Sequence, residues 1–506
     1  MKKLIIFLLI VLSLVVTGCE FVTGHHDDKY YTLVRVTLVD SLTNNETQVS
    51  VSKGKCSLNH FDAGLKEGYL FLGWSLDGET IIDGDEVTAY EGLKLYSIWE
   101  ETADTNPYEA FFEVGSVAKI EITAEAEITS KEDYVASTIT ITDEGYELKN
   151  AVANIRLRGN SSLNAPKKSY KIKFDKKQDL FGFGSDKEWA LIANYYDPSM
   201  VRNFYAYRLA LAMEMEYAVQ CKFAEVYLNG ELLGLYLICE TVKTGNNRVN
   251  IEVDYDANET DIPYLLELDF KMTSPDDPAS NGVENIDYFN LNLRTYGGKV
   301  YPIACKYPKD YERITDEQFE IIKQEVRNAF VSTVRGDYAE YFDVDSLIDY
   351  FIIQELMMNI DVDYSSVFFY KAQGGKIKMG PVWDFDISSG NCNYVNNYTA
   401  EVLMKDVNGG SFLLNHLLTN SEFKAAFNKR LEELNEKILP AMFASFEDTF
   451  QALQAYELRD NNVWHNLFQE YWPKPYYLVG PTYYQQVLYV RSYLQRHYRV
   501  MLELTK

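Results

Sequence analysis

Four aspartates flank one short stretch of the chain: Asp361 and Asp363 in "NIDVDYSSVFFYK", Asp384 and Asp386 in "GPVWDFDISSGN". Between them, "VFFYK" and "KIKMGPVW" read as two strands joined at Ala372-Gln373-Gly374-Gly375, since aromatic and β-branched runs broken by a glycine turn are hairpin signals. A hairpin centred there sets Asp361 opposite Asp386 and Asp363 opposite Asp384, which gathers four carboxylates at its open end. So many negative charges in one place are costly unless a cation lies among them. Hard oxygen donors of this kind suit Mg2+ or Mn2+ held beside phosphates, or else Ca2+. The plainer alternative is ordinary strand-end polarity.

A second stretch carries the opposite sign. "RLRGNSSLNAPKKSYKIKF" (residues 156–174) holds Arg156, Arg158, Lys167, Lys168, Lys171 and Lys173 and no acidic residue, in a chain with 48 Lys+Arg against 75 Asp+Glu and a net charge of −27. The basic residues alternate with Ile155, Leu157, Tyr170, Ile172 and Phe174, so two strands would place Arg156 and Arg158 on one polar face and Lys171 and Lys173 on another, with the apolar side chains toward a core. The joining "GNSSLNAP" is loop chemistry, able to present N–H groups and hydroxyls. Cations and N–H groups converging on a short loop are what a phosphate needs; a solvated strand face is the alternative. Together the two stretches form the halves of a phosphoryl-transfer site. One positions phosphates; the other supplies metal ligands and a carboxylate to accept the incoming hydroxyl's proton. Neither a Walker A motif nor a Gly-x-Gly-x-x-Gly loop occurs.

Mixed elements must hold these groups. From about residue 115 the chain reads as strands, and then "YYDPSMVRNFYAYRLALAMEM" changes to helical period, with Asp197 as N-cap and Pro198 at the first helical position. Asn229-Gly230 between two apolar runs is a hairpin signal. The helix "DSLIDYFIIQELMMN" leads into the aspartate hairpin, and a helical tail is expected from about residue 410. The fold class is α+β. Residues 31–101 read as a small curled β unit with Trp74 and Trp99 in its core, and 102–114 as a polar linker.

At the amino terminus, Lys2 and Lys3 precede an apolar run over residues 4–16, too short to span a bilayer but suited to a signal-peptide core. Val16-Thr17-Gly18-Cys19 resembles a bacterial lipobox. It implies a signal peptide over 1–19, lipidation of Cys19, a tether over 20–30 and a membrane anchor on the extracytoplasmic face, with the rest in water. At 506 residues the chain can hold two or three domains, and its acidic balance argues against nucleic acid as a partner. Cys221 and Cys239, on neighbouring predicted strands, are either two buried thiols or a pair. None of the six His shows metal-ligand spacing.

The motifs "IRLRGNSSLNAPKKSYKIKF", "WALIANYYDPSMVRNFYAYRLA", "AEVYLNGELLGLYLICE", "NIDVDYSSVFFYK" and "GPVWDFDISSGN", in that order, resemble the CotH kinase family of bacterial spore-coat and secreted protein kinases, over roughly residues 115–506. The resemblance implies an atypical protein-kinase-like fold and transfer of phosphate from ATP, with Mg2+ or Mn2+, to Ser or Thr of a protein substrate. It places the catalytic-loop carboxylate at Asp361 and the metal ligands at Asp384, Asp386 and Asp361. Lys171 becomes a catalytic cation, and Arg158, Asn160, Ser161, Lys168, Lys171 and Lys173 become ATP contacts. Glu240 would orient a lysine, as the helix glutamate does in ordinary kinases. The sequence departs from the family pattern at Ser162-Leu163, at Ser388-Ser389, and at Ser365-Ser366, where a second metal ligand is expected. Gly68-Tyr69, Gly73-Trp74 and Leu95-Tyr96-Ser97-Ile98-Trp99 resemble the Listeria–Bacteroides surface repeat, a β-grasp-like module that implies a spacer or adhesive unit among cell-envelope or surface proteins. Two rival readings are a catalytically inactive nucleotide- or Ca2+-binding protein of envelope or coat assembly, and a surface adhesin.

Overall fold

The computed structural model describes residues 33–504 apart from 59–60, 62, 64–68, 83–85, 102–105, 255, 257, 271–287, 309–313, 396–398 and 408–409. Cys19, the apolar leader, the tether and Gly68 lie outside the described residues.

The first unit contains β1 (Leu33–Asp40), β2 (Glu46–Ser52), β3 (Gly54–Ser57), β4 (Tyr69–Ser75), β5 (Glu86–Ala89) and β6 (Leu93–Glu101). Its main sheet has the order β2-β1-β6-β4, with β1 and β6 parallel at the centre. Val36, Leu38, Trp74, Leu93 and Leu95 fill its core. Trp99 does not join them. The pairing of β1 with β6 stops at Ser97, so Trp99 is half-buried, edge-on to Phe71, with Nε1 donating to Ser97 Oγ at 2.6 Å. The described part of the expected linker is packed as well. Asn106 Nδ2 donates to Lys437 O at 2.7 Å, and Phe112, in α1 (Glu109–Phe112), is fully buried against Tyr205.

A closed barrel follows, from β7 (Ala118–Ala124), β8 (Val135–Asp143), β9 (Tyr146–Arg158), β10 (Ser169–Gln178), β11 (Asp186–Ile192), β12 (Cys221–Leu228) and β13 (Glu231–Glu240). Around it the order is β10-β11-β13-β12-β7-β8-β9, closed by the parallel pair β12 and β7. Alternate residues turn inward, among them Ile155, Leu157, Ile172, Trp189 and Tyr236. The β12–β13 hairpin turns at Asn229 and Gly230, both with positive φ, the backbone that a two-residue type I′ turn requires. The outer face of β11, β13 and β12 packs on α2 (Arg202–Ala212) through Ala190, Leu237 and Phe223. This helix starts later than the sequence implied. Residues 197–201 form an irregular turn with Met200 at φ +61°, and Asp197 accepts the N–H groups of Ser199 and Arg202 from outside the helix.

The rest comprises β14 (Tyr264–Leu268), β15 (Tyr288–Asn292), β16 (Val300–Tyr307), α3 (Asp316–Arg335), α4 (Val344–Leu356), β17 (Val367–Lys371), β18 (Lys378–Met379), α5 (Phe412–Leu417), α6 (Ser421–Ala444), α7 (Phe446–Trp464) and α8 (Tyr483–Leu504). An antiparallel sheet of order β15-β16-β14-β17-β18 shares one apolar core with α2, α4, α6 and α8. The first unit seats on α8, where Gln495 Nε2 donates to Phe71 O at 3.1 Å. The five described cysteines are buried thiols, with Cys221 directly opposite Cys239. Among the described residues no helix is long and apolar enough to cross a membrane.

Candidate active site

Arg158 ends β9 on the barrel's outer face and carries its guanidinium 5.1 Å above the ring of Trp383, within reach of a cation–π contact. Trp383 in turn stacks on Tyr207 of α2, centroids 5.6 Å apart. The residue after Trp383 is Asp384, so the cationic stretch and the acidic loop meet. Gly159 then turns the chain at φ +99°, where any Cβ would collide with Ser162 Oγ; only glycine fits this close turn.

The acidic loop is held from below. Asp384 itself sits at φ +66°, with Oδ2 accepting from Ser366 Oγ at 3.2 Å. Asn203 Oδ1 accepts the N–H of Phe385 at 2.7 Å, and Asn391 Nδ2 donates to Asp386 O at 2.6 Å. Arg202 is fully buried, paired with Asp197, and donates Nε to Ser388 O at 3.0 Å and Nη2 to Ser389 O at 3.2 Å. The irregular turn before α2 thereby clamps residues 384–391. Asp361 lies in the turn after α4, where Asn359 Oδ1 accepts its N–H at 3.2 Å and its carbonyl accepts from Tyr364 and Ser365. Burial pushes the Tyr394 phenol up, and the charges of Asp361 and Asp386 add to that push.

Asp363 departs from the expected gathering. It accepts from Lys299 and from Tyr301 Oη, each at 3.1 Å, and from the N–H of Phe412 at 3.0 Å. The hairpin explains why: β17 and β18 pair one residue out from the register read off the turn, and the ladder ends at the Gly380 N–H to Phe368 carbonyl bond. Beyond that point the two chains separate, and strand opposition no longer aligns side chains. Among the described residues no group of three His, Cys, Asp or Glu converges as a metal cage.

The cations divide by environment. Lys171 lies on the same outer face as Arg158 and reaches Glu188 of β11 at 3.0 Å; burial lowers its affinity for the proton, and Glu188 opposes that. Lys173, two residues on, is exposed, and Asn160 is exposed at the loop. Ser161 O accepts from Tyr196 Oη at 3.1 Å. Lys168 Nζ donates to the carbonyls of Leu163 at 2.6 Å and Ala165 at 2.7 Å and so closes the loop on itself. Lys167 leaves the surface altogether: it is fully buried, paired with Asp460 of α7, and donates to Leu235 O. Glu240 does not orient Lys171. Lys171 pairs across β10 and β11 with Ala190, while Glu240 is the neighbour of Trp189, whose side chain points into the barrel; one residue of offset puts a side chain on the other face. Glu240 instead accepts from Arg248 Nη1 at 2.5 Å and from the N–H of Gln220 at 2.9 Å, and burial pushes its carboxyl up to about 7. The glutamate that meets Lys171 is Glu188.

A family model described as CotH kinase protein matches residues 155–501. The chain belongs to this family. No curated protein matches it. Membership in the CotH family suggests kinase activity, with ATP and a divalent metal as its requirements. The donor types suit such a metal: Asp384 and Asp386 carry hard oxygens two residues apart on one loop, and Mg2+ is characteristically held by one or two carboxylates together with substrate phosphates rather than by a full protein cage. A cavity of about 330 Å³ between residues 240–243, Met215 of the chain after α2, and Pro381 lies at the end of β13, beside Lys243. Lys243 reaches Asp186 at 3.4 Å and Glu188 at 3.5 Å, which connects this cavity to Lys171. Sequence reasoning missed Glu188, Trp383, Asn203 and Arg202 as parts of the site. "EWALIAN" carries Glu188, "MVRN" carries Arg202 and Asn203, and "GPVWDFD" carries Trp383; only the strand and helix faces reveal their direction.

Proposed function

We propose that the chain is a lipid-anchored, extracytoplasmic kinase that transfers the γ-phosphoryl group of ATP to Ser or Thr hydroxyls of a cell-envelope or surface protein. The contact of Arg158 with Trp383, adjacent to Asp384, carries this reading, because it brings the phosphate-binding stretch onto the metal-binding loop. The order of elements supports it: a loop-bearing strand pair β9–β10, then β11, α2, β12 and β13 is the layout of a protein kinase's amino-terminal lobe, and Asp361 and Asp384 follow in kinase order. A divalent metal bound here supplies charge neutralisation at the phosphates. In this reading the cavity beside residues 240–243 receives the base, and Lys171 and Arg158 hold phosphate oxygens. Asp384 and Asp386 hold the metal, and Asp361 accepts the proton of the incoming hydroxyl. Asn160 and Ser161 would close over the phosphates from the loop, while Lys168 shapes that loop and Glu240 the base cavity. The parallel central pair of the first sheet suits a β-grasp-like spacer that holds the kinase unit away from the lipid at Cys19.

The test uses the full-length chain in detergent micelles with γ-labelled ATP, Mg2+ or Mn2+, and dephosphorylated casein. Label on casein or on the chain itself, lost in Asp361→Ala and Asp384→Ala, is the expected outcome. ATP binding without transfer in the wild type overturns the catalytic reading and favours the binding-protein rival. Labelled fatty acid that fails to appear on the wild-type chain, or persists on Cys19→Ala, overturns the anchor.

A further inference from the structure

Joined to Asp384 through two consecutive serines is a charged group with no part in the reaction described above. Glu267 ends two residues before Asp269 on the same face of the β14 chain, and both are buried. Lys306 comes from β16, where the β14–β16 register shifts, and brings its ammonium to 2.5 Å from Glu267 Oε2. Two consecutive serines connect this group to the metal loop: Ser365 Oγ donates to Asp269 Oδ1 at 2.9 Å, and Ser366 Oγ donates to Asp384 Oδ2 at 3.2 Å. Burial, with the charges of Asp269 and Asp384, pushes the Glu267 carboxyl up, and Lys306 opposes that push. Burial works against the Lys306 ammonium, yet Glu267 and Asp269 outweigh it and hold its pKa above the usual value.

In ordinary kinases the residue five places after the catalytic aspartate is an asparagine that ligates a second Mg2+. Here that place is Ser366, whose hydroxyl is spent on Asp384. We propose that Lys306, fixed by Glu267, is the resident cation of this part of the cleft and stands in place of a second divalent ion, so that the chain holds a single metal, at Asp384. An ammonium offers only donors, and its charge is permanent at neutral pH. The carboxylate that a second metal would need is already committed to it. The inference rests on the proposed function only for the position of the first metal.

The experiment counts Mn2+ bound to the full-length chain by electron paramagnetic resonance and calorimetry, with Mn2+ alone and with a non-hydrolysable ATP analogue. Wild type is expected to hold one Mn2+ per chain. Lys306→Met exposes Glu267 to the cleft and should bind a second Mn2+, or bind Mn2+ alone about tenfold more tightly. Lys306→Arg should keep the wild-type count, and Lys306→Met with Glu267→Gln should return to it. Glu267→Gln alone removes the carboxylate that neutralises the Lys306 ammonium, two serines away from Asp384, and should weaken Mn2+ binding about tenfold, which supplies a reading even if Lys306→Met does not fold. Two Mn2+ on the wild type, or unchanged count and affinity in Lys306→Met and Glu267→Gln, overturns the proposal. The count needs no turnover: a chain that binds one Mn2+ but transfers no phosphate defeats the kinase reading and leaves this one standing.

Discussion

Arg202 touches no candidate ligand, yet its replacement should disable the acidic loop. Its guanidinium is fully buried, pairs with Asp197, and donates to the carbonyls of Ser388 and Ser389. Met in its place keeps much of the volume, so the cavity contribution is small. The main loss is electrostatic: removing one partner of a buried pair costs about 3–5 kcal/mol because the other charge stays behind. Asp197 still accepts N–H groups from Ser199 and from residue 202, which favours the lower part of that range. Each of the two carbonyls left without its donor adds about 1 kcal/mol or more. These losses share one network and do not add fully, so a total of about 4 kcal/mol is expected, roughly a thousandfold in the folded-to-unfolded ratio.

Urea unfolding of Arg202→Met against wild type measures the total, and hydrogen exchange locates it. The N–H of Phe385, held by Asn203, and the N–H of Ser389, held by Met357 O, should exchange faster, whereas the β7–β8 ladder should change less. The double variant Asp197→Asn with Arg202→Met removes the stranded charge and should recover about 1–2 kcal/mol. If the single variant costs less than about 1 kcal/mol, or if the double variant is no more stable than the single, the clamp does not operate as described.

Three further outcomes are expected. Asp361→Asn should lower phosphoryl transfer about 10²–10⁴-fold while leaving Mn2+ binding in place, whereas Asp384→Asn should lose both; equal metal binding in the two variants would contradict the roles assigned. Lys171→Met should raise the KM for ATP with little change in urea midpoint, and Lys167→Met should do the reverse, losing about 3–5 kcal/mol because Asp460 is left buried and charged. Glu457, buried beside Asp460, has its carboxyl pushed from 4.5 up to about 7 by burial and by that neighbour's charge. Between those pH values the folded chain keeps a proton that the unfolded chain has released, so this group's contribution falls as pH rises through the interval. Glu457→Gln should therefore gain up to about 3 kcal/mol over wild type at pH 8 and nothing near pH 4; an equal difference at both pH values in urea titrations would refute the assignment.

The elements readable in advance are those whose signal is local. Asn229-Gly230 marks its hairpin because two positive φ angles in sequence admit few other residues. The β17–β18 hairpin is legible from its glycine turn to within one residue of its register. What could not be read depended on partners far along the chain. Lys167 and Lys171 look alike in "KKSYKIK", but the first lies before β10 begins and is captured by Asp460, 293 residues away. Glu240, which the kinase resemblance implies as a lysine's partner, closes an apolar strand. Its face follows from the register with β11 between them, which neither strand states alone. Glu267 and Asp269 sit in "LLELDF", which reads as any half-buried strand until Lys306 and Ser365 come to meet it.

Backbone strain shows where these long-range contacts are needed. Thirteen described non-glycine residues have positive φ, and six of them fall in two facing segments: Asn194 and Met200 before α2, and Met358, Ser366, Asp384 and Ser389 around the aspartates. Such conformations cost of order 1–3 kcal/mol each and persist only where the surroundings over-determine them. Here the surroundings are Arg202, Asn203 and Asn391, which bind one segment to the other through carbonyl, carboxyl and amide groups. A loop free of that frame would relax towards ordinary dihedrals and turn the Asp384 carboxylate away from Ser366. The geometry of this acidic loop is therefore a property of the turn before α2 as much as of the aspartates, which is why a chain could keep every carboxylate in "WDFD" and still lose the loop's conformation through Asp197 or Arg202.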